Sequence, residues 1–297
     1  MKLAGVFPPV PTPFDSEGEI LPNKLKANIT LWNQTGLHGY VILGSNGEAV
    51  MLTEYEKVAL WQAAREAIPR DKLFLVGAGM ESTRASIALA KRAAESGADA
   101  AMFVTPGYYK AEMKPATLIH HYRAIADASP IPTILYNMPA ATGIDMDADT
   151  VIQLAEHPNI IGIKDSSGNV ARYASIVRAV RPDFAVLAGS GGYMYPALCV
   201  GAQGAVAALA NVAPRECVAL YEAFRAGWHE EARALQLRLV QLNAAVTTRW
   251  NVPGLKAALE ELNQGFYGGP PRLPLRPLGE TERAALRRIM REAQIIA

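Results

Sequence analysis

One lysine of the sequence occupies a position where an amine could carry out covalent chemistry. Lys164 ends the apolar run Ile160–Lys164, which has the length and composition of a buried strand. An ammonium group brought to the end of such a strand loses hydration, which favours the neutral amine, and a neutral amine can attack a carbonyl carbon. The run is also compatible with a lysine that marks the polar end of the strand and extends to water.

A tyrosine at the end of the preceding apolar run favours the catalytic interpretation. Tyr136 closes Thr133–Tyr136, so in a parallel sheet its hydroxyl would lie beside Lys164 and could transfer protons. Taken alone, Tyr136 is equally compatible with a packed ring whose hydroxyl is hydrogen bonded. The two residues together predict a nucleophilic amine with a proton-transferring partner.

Two glycine-rich turns follow predicted strands and could line a binding site. In Gly44–Glu48, the backbone amides and the side chains of Ser45 and Asn46 could hold a carboxylate, although a tight turn that needs two glycines explains the same pattern. Gly189–Gly192 opens a helix after a later strand. No arginine or lysine lies beside this second turn, so we expect Ser190 to line a pocket and not a phosphate site.

Eight apolar runs of strand length alternate with helical patterns along the chain. The runs are a first strand near Ala4–Val10, then Gly39–Leu43, Leu73–Gly77, Ala100–Thr105, Thr133–Tyr136, Ile160–Lys164, Ala185–Ala188 and Ala205–Leu209. Continuous apolar strands predict a parallel sheet covered on both faces. Eight units, with no Gly-x-Gly-x-x-Gly fingerprint after the first strand, favour an α/β fold of the closed (β/α)8 TIM barrel type over a doubly wound sheet.

The carboxyl ends of the strands carry the chemistry of such a barrel. The residues that end or follow the runs are Thr12, Ser45, Thr105, Tyr136, Lys164 and Ser190. Hydroxyls and one amine dominate this set. The nearest acids, Glu48 and Asp165, are isolated candidates and no histidine pair has metal-ligand spacing, so we expect neither a metal nor a cofactor.

Beyond residue 226 the strand pattern stops and helical patterns begin. Apolar residues recur at helical spacing over Trp228–Leu262 and again over Glu280–Ala293, with a Pro/Gly-rich loop at Gly265–Pro277. No low-complexity linker separates these helices from the rest of the chain. We therefore expect a barrel over residues 1–226 and a C-terminal helical extension over residues 227–297 that packs on it.

Composition excludes several classes of partner. The 297 residues are 50% hydrophobic and carry a formal net charge of +1, with no basic block, so we expect no nucleic-acid or membrane partner. Cys199 and Cys217 form no Cys-x-x-Cys pair, and prolines interrupt the N-terminal residues before a signal-peptide core. These features predict an untargeted protein of the reducing cytoplasm.

Four segments, in their order and context, resemble one enzyme superfamily. They are Gly44-Ser45-Asn46-Gly47-Glu48, Val104-Thr105-Pro106-Gly107-Tyr108-Tyr109, Tyr136-Asn137-Met138-Pro139 and Gly162-Ile163-Lys164-Asp165-Ser166. The superfamily is that of dihydrodipicolinate synthase and N-acetylneuraminate lyase, and the resemblance covers nearly the whole chain. It implies a class I, Schiff-base aldolase that acts on pyruvate-derived 2-keto acids without a cofactor.

The resemblance also implies a role for individual residues. It implies Lys164 as the imine lysine, Tyr136 as the proton-transferring residue, and Ser45 with Asn46 at the pyruvate carboxylate. Tyr108 matches a tyrosine that reaches into the neighbouring subunit's site and completes a relay, which implies a homo-oligomer, commonly a dimer of dimers. The residues expected to contact the substrate are Ser45, Asn46, Ser166, Gly189, Ser190 and Val206.

Two departures from the synthase pattern bear on the substrate. Dihydrodipicolinate synthases carry an arginine for the aldehyde substrate's carboxylate at the position of Ala141, and many have a tyrosine linked to lysine feedback at the position of Gly107. Other segments resemble 4-hydroxy-2-oxoglutarate aldolase, which releases pyruvate and glyoxylate. These are Ser45-Asn46, His120-His121-Tyr122, Leu187-Ala188-Gly189-Ser190, Ala208-Leu209-Ala210-Asn211-Val212, Asn243-Ala244-Ala245-Val246-Thr247 and Tyr267-Gly268-Gly269-Pro270.

Three functions therefore stand as alternatives at this point. The preferred one is cleavage of 4-hydroxy-2-oxoglutarate, and the nearest rival is condensation of pyruvate with aspartate semialdehyde, for which a residue elsewhere would have to replace the arginine absent at Ala141. A barrel that only binds a keto acid in regulation is the third. The intact set of Lys164, Tyr136 and Ser45 speaks against it.

Overall fold

Nine parallel strands form one sheet that closes on itself. The structure, a computed structural model, describes residues 2–297. Its strands are β1 (Gly5–Phe7), β2 (Pro9–Val10), β3 (Gly39–Ile42), β4 (Leu73–Gly77), β5 (Ala100–Val104), β6 (Thr133–Asn137), β7 (Ile160–Asp165), β8 (Ala185–Ala188) and β9 (Gly204–Val206). β1 pairs with β9 and β2 pairs with β3, so two short consecutive strands fill one position of an eight-position barrel.

Helices surround the barrel and continue beyond its last strand. They are α1 (Pro22–Trp32), α2 (Glu54–Ala67), α3 (Thr83–Glu95), α4 (Pro115–Ala128), α5 (Pro139–Thr142), α6 (Ala148–Ala155), α7 (Val170–Ala179), α8 (Met194–Cys199), α9 (Pro214–Arg225), α10 (His229–Ala244), α11 (Asn251–Glu261) and α12 (Glu280–Glu292). The alternation of strands and helices confirms the predicted (β/α)8 barrel with a C-terminal helical extension. Within residues 2–297, no helix is both long enough and apolar enough to cross a bilayer.

A capping box starts α2. Thr53 Oγ1 accepts a hydrogen bond from the Glu56 amide at 3.3 Å, and the Glu56 carboxylate accepts one from the Thr53 amide at 2.8 Å. Both contacts satisfy amides that the first helical turn leaves without a partner. The capping box therefore fixes the start of α2 at Glu54, a few residues after the Gly44–Glu48 turn.

The predicted end of the last strand and the predicted continuity of the first strand are wrong. The run Ala205–Leu209 is a strand only to Val206, and Ala208–Asn211 forms a 3₁₀ helix. The Asn211 side chain stabilises this helix, because its amide nitrogen donates to the carbonyls of Ala208 and Pro9 at 3.1 Å. The first strand, predicted as one run, is broken at Pro8, which has no amide hydrogen to donate.

The C-terminal helices share the core of the barrel. Leu239, Leu255 and Leu286, from α10, α11 and α12, are buried in the same apolar cluster as the inward faces of the barrel helices. A single turn of π-helix over Ala245–Arg249 connects α10 to α11. The predicted boundary between residues 226 and 227 stays a prediction, because this packing is continuous across it.

Candidate active site

The lysine and the tyrosine at the ends of β7 and β6 lie side by side. Parallel pairing places Tyr136 directly opposite Lys164 in the strand register. The Lys164 amino nitrogen lies 4.1 Å from the centre of the Tyr136 ring, and the two residues are only 3% and 4% exposed. Burial excludes the alternative of a lysine that extends to water. The amine is therefore close to a phenol at the carboxyl end of the barrel.

The Ser45 turn brings a second hydroxyl to this pair. Ser45 Oγ lies 3.1 Å from the Tyr136 hydroxyl, and either atom can donate the hydrogen bond. The turn Ser45–Gly47 is a 3₁₀ helix that follows β3. Thr12 Oγ1 donates to the Gly47 carbonyl at 2.6 Å and ties the turn to the chain after β2. The hydroxyls of Ser45 and Tyr136 thus form a hydrogen-bonded pair, and the ring of Tyr136 contacts Lys164.

The turn after β8 lies against the residues that follow β7. A Cβ at Gly189 would lie 2.1 Å from Ser166 Oγ, so only glycine fits between them. Ser166 Oγ is buried and has no hydrogen-bond partner within the described chain. Ser190 Oγ donates to the Asn243 side chain at 3.2 Å and accepts from the Gly192 amide at 3.2 Å. This side of the barrel mouth therefore offers hydroxyl groups near Lys164.

The remaining predicted residues occupy different surroundings. Val206 is 1% exposed and belongs to the apolar cluster inside the barrel, together with Tyr136. Asn46 is half-buried in the Ser45 turn. Tyr108 is 77% exposed, and its ring packs edge to face on Tyr109 with ring centres 5.0 Å apart. Within one chain, Tyr108 therefore does not meet Tyr136 and does not complete the implied relay.

Each of the two acids near the strand ends has a hydrogen-bond or ion-pair partner within the chain. Asn137 donates from its side-chain nitrogen to Asp165 at 3.1 Å and to Asp145 at 2.9 Å, while Arg172 forms a bidentate ion pair with Asp145. Burial raises the pKa of Asp165, although hydrogen bonds from Ser167 and Asn137 oppose the shift. Because Asn137 follows Tyr136 and Asp165 follows Lys164, this contact fixes the two strands that carry the chemistry.

The other acid, Glu48, is also fully paired. Its carboxylate lies 2.7 Å from the Lys256 amino nitrogen of α11, and both side chains are 1% exposed. Sequence reasoning missed this partner, since Lys256 is more than two hundred residues away along the chain. Within residues 2–297, no three His, Cys, Asp or Glu side chains lie close enough together to hold a metal ion.

A cavity of about 310 Å³ opens beside the Ser45 and Tyr136 hydroxyls. Its walls also include Thr105, Lys57 and Met80, from the loop after β5, from α2 and from the loop after β4. Burial lowers the pKa of Lys57, although the carboxylates of α2 oppose the shift. Ser45 and Tyr136 line this mostly apolar cavity, and the Tyr136 ring connects it to the buried Lys164 amine. Such an arrangement is suited to an organic acid with a reactive carbonyl.

Comparison with known proteins identifies the family. A family model described as "Dihydrodipicolinate synthetase family" matches residues 2–293. The chain belongs to this family. It is therefore a class I, pyruvate-dependent aldolase or lyase, and the resemblance seen in the sequence is confirmed. Enzymes of the dihydrodipicolinate synthetase family form a Schiff base without an external cofactor, and this membership argues against the alternative of a non-catalytic barrel.

Relatives within the dihydrodipicolinate synthetase family have different names. One from an Exiguobacterium species, named 4-hydroxy-tetrahydrodipicolinate synthase, is 40% identical over 282 residues, covering 95% of each chain. One from Emericella nidulans, named probable 4-hydroxy-2-oxoglutarate aldolase, mitochondrial, is 35% identical and covers 97% of this chain and 94% of its own. A solved structure, the chloride-inhibited dihydrodipicolinate synthase from Acinetobacter baumannii complexed with pyruvate, is 33% identical with a TM-score of 0.94, covering 99% of this chain and 100% of that one.

Proposed function

We propose that the enzyme cleaves 4-hydroxy-2-oxoglutarate to pyruvate and glyoxylate through an imine on Lys164. The observation that carries the proposal is the buried Lys164 amine, 4.1 Å from the Tyr136 ring, beside the 3.1 Å contact between Tyr136 and Ser45. The pair supplies a nucleophile and a proton-transferring group. The choice of substrate rests on Ala141, which lies exposed on α5 where synthases have an arginine.

The chemistry needs only groups of this site. The Lys164 amine attacks C2 of the keto acid, and loss of water gives a protonated imine. Tyr136 takes the proton from the C4 hydroxyl and passes its own phenolic proton through Ser45 to solvent as the bond between C3 and C4 breaks. The electron pair of that bond moves into the imine to give an enamine. Glyoxylate leaves, a proton adds to C3, and water releases pyruvate from Lys164. Lys164 acts as the electron sink throughout.

Substrate contacts in this proposal come from both sides of the barrel mouth. Ser45 and Asn46 hold the C1 carboxylate with the turn amides, and Val206 packs below the carbon chain. The Ser166 hydroxyl is buried and has no hydrogen-bond partner within the described chain. Leaving it unpaired costs free energy, so we expect a bound substrate to form a hydrogen bond with it. With Gly189 and Ser190, this hydroxyl faces the distal end of the substrate.

The synthase reaction is the second candidate, because the 40% identical relative carries that name. Condensation with aspartate semialdehyde would place a further carboxylate in the site, and an arginine would bind it in bidentate fashion. The test is the ratio of kcat/KM for 4-hydroxy-2-oxoglutarate cleavage to kcat/KM for condensation, measured on one preparation so that the active-site concentration cancels. A ratio above one supports the proposal, and a ratio below one assigns the synthase reaction.

The proposal includes a homo-oligomer, commonly a dimer of dimers in this family. Tyr108 supports it, since a tyrosine with 77% of its surface exposed is available to a second copy of the chain. In the assembly, Tyr108 would reach the neighbouring subunit's Ser45 and Tyr136 pair. The two free cysteines, Cys199 and Cys217, are compatible with a reducing compartment, and we place the enzyme in the cytoplasm.

A further inference from the structure

The residue that ends the Ser45 turn is held by the C-terminal extension. Glu48 contacts the Lys256 amino nitrogen of α11 at 2.7 Å through one carboxylate oxygen. Its other oxygen accepts a hydrogen bond from the Arg272 amide at 2.8 Å. Lys256 also donates to the Pro270 carbonyl at 2.8 Å and lies 4.5 Å from the centre of the Phe14 ring. Two separate parts of the extension therefore converge on one carboxylate.

The backbone of the turn needs such support. Leu43 and Glu48, on either side of Ser45, have φ angles of 63° and 54°. Residues with a Cβ rarely adopt this left-handed region, and they keep it where surrounding contacts over-determine the conformation. On one side, Thr12 bonds the Gly47 carbonyl. On the other side, Lys256 and the Arg272 amide hold the Glu48 carboxylate, which ends the turn.

The Glu48–Lys256 ion pair is not explained by a contribution to the stability of the fold alone. Burying two opposite charges costs so much hydration that well-packed apolar replacements are often equally stable or more stable. A buried pair does, however, fix the direction and distance between the two segments that carry it. Here one of those segments is the turn that carries Ser45, whose hydroxyl lies 3.1 Å from that of Tyr136.

We propose that Glu48 and Lys256 are positioning residues for proton transfer, because their ion pair keeps Ser45 within hydrogen-bond reach of Tyr136. The inference rests on the proposed function, in which Lys164 forms the imine and Tyr136 moves the proton. Lys164 lies on β7 and is held by the barrel sheet, whereas Ser45 lies on the turn after β3. Disturbing the pair therefore impairs proton transfer at C3 of bound pyruvate. Because Ser45 and Asn46 also hold the C1 carboxylate in the proposed function, pyruvate binds more weakly, and imine formation on Lys164 is retained at saturating pyruvate.

The experiment compares two readouts on the full-length enzyme with pyruvate. Borohydride trapping gives the fraction of chains that form an imine, and exchange of the pyruvate methyl protons with deuterated water gives the rate of proton transfer. The variants are Glu48→Gln, which keeps the shape and removes the charge, and the double variant Glu48→Met with Lys256→Met. Glu261→Gln is the matched control, since it removes a carboxylate that pairs with Arg283 in the same extension.

The expected result is a fall of about 10²-fold in exchange rate per trapped chain in both variants, the size of loss that a 1 Å displacement produces. The control keeps the wild-type rate. Because the rate is divided by the trapped fraction, loss of folded protein does not mimic this result. An exchange rate within threefold of wild type in either variant, or no trapping in both while the wild type is trapped, overturns the inference. A wild type without trapping contradicts the proposed function instead.

Discussion

Replacing Tyr136 with phenylalanine separates the chemical role of its hydroxyl from the packing role of its ring. The ring lies in the apolar cluster inside the barrel and 4.1 Å below the Lys164 amino nitrogen, and phenylalanine keeps both contacts. The change removes only the hydroxyl and its 3.1 Å hydrogen bond to Ser45. Ser45 is exposed, so water can replace the lost partner.

The two roles predict very different magnitudes. Loss of one neutral hydrogen bond to an exposed serine lowers the free energy of unfolding by about 1 kcal/mol or less. Loss of a general acid–base group lowers turnover by roughly 10²- to 10⁴-fold, which corresponds to about 3–5 kcal/mol in the activation free energy. For Tyr136→Phe we therefore expect turnover to fall much further than stability.

Two measurements on the same preparation check this prediction. Turnover is followed as the release of pyruvate from 4-hydroxy-2-oxoglutarate, and stability as the free energy of unfolding in urea. Borohydride trapping with pyruvate serves as the control, since Lys164 keeps its surroundings in the variant. Turnover within threefold of the wild type would refute the reasoning and leave Tyr136 as a packing residue.

Three further changes test other parts of the account. Ala141→Arg should raise the kcat/KM for aspartate semialdehyde relative to that for 4-hydroxy-2-oxoglutarate; an unchanged ratio would show that α5 does not face the substrate. Gly189→Ala places a Cβ 2.1 Å from Ser166 Oγ, so urea unfolding should show a loss of about 1–3 kcal/mol, and no loss would contradict the close packing. Burial lowers the pKa of His121 to about 4, so the unfolded chain binds a proton near pH 6.5 that the folded chain does not. Stability should then fall by about 2 kcal/mol between pH 7 and pH 5, and His121→Asn should be less sensitive to pH; equal sensitivity would contradict the shift.

The pairing of Lys164 with Tyr136 could be predicted because it depends on one regular feature. Successive strands of a parallel barrel lie side by side, so residues that end consecutive apolar runs become neighbours. The register Tyr136 opposite Lys164 bears this out. The repeated alternation of apolar runs and helical patterns also predicts eight strand positions. The point where the apolar runs stop predicts where the C-terminal helices begin.

The partners of the acids could not be predicted, because no periodic pattern carries them. Glu48 meets Lys256, and Asp165 meets Asn137, through side chains that are brought together only when the barrel closes. The end of the last strand was missed for a related reason. Ala207 and the residues after it are as apolar as a strand, but Ala208–Asn211 form a 3₁₀ helix that the Asn211 side chain stabilises.

The proposed role of Tyr108 involves a second copy of the chain. Its ring is 77% exposed and packs only on Tyr109. Its amide donates to Glu81 at 3.0 Å, which fixes the backbone but does not turn the side chain towards Tyr136. A role in proton transfer thus requires a second copy of the chain, and the sequence identifies the residue without its geometry.

The most direct test of the central claim is the identity of the lysine that forms the imine. The enzyme is treated with pyruvate and borohydride, digested, and mapped by mass spectrometry. We expect one modified peptide containing Lys164, whose amine is buried beside Tyr136, and no modification of the two other buried lysines, Lys57 and Lys256. An unmodified Lys164, or a pyruvate adduct on Lys57 or Lys256 in its place, would contradict the account.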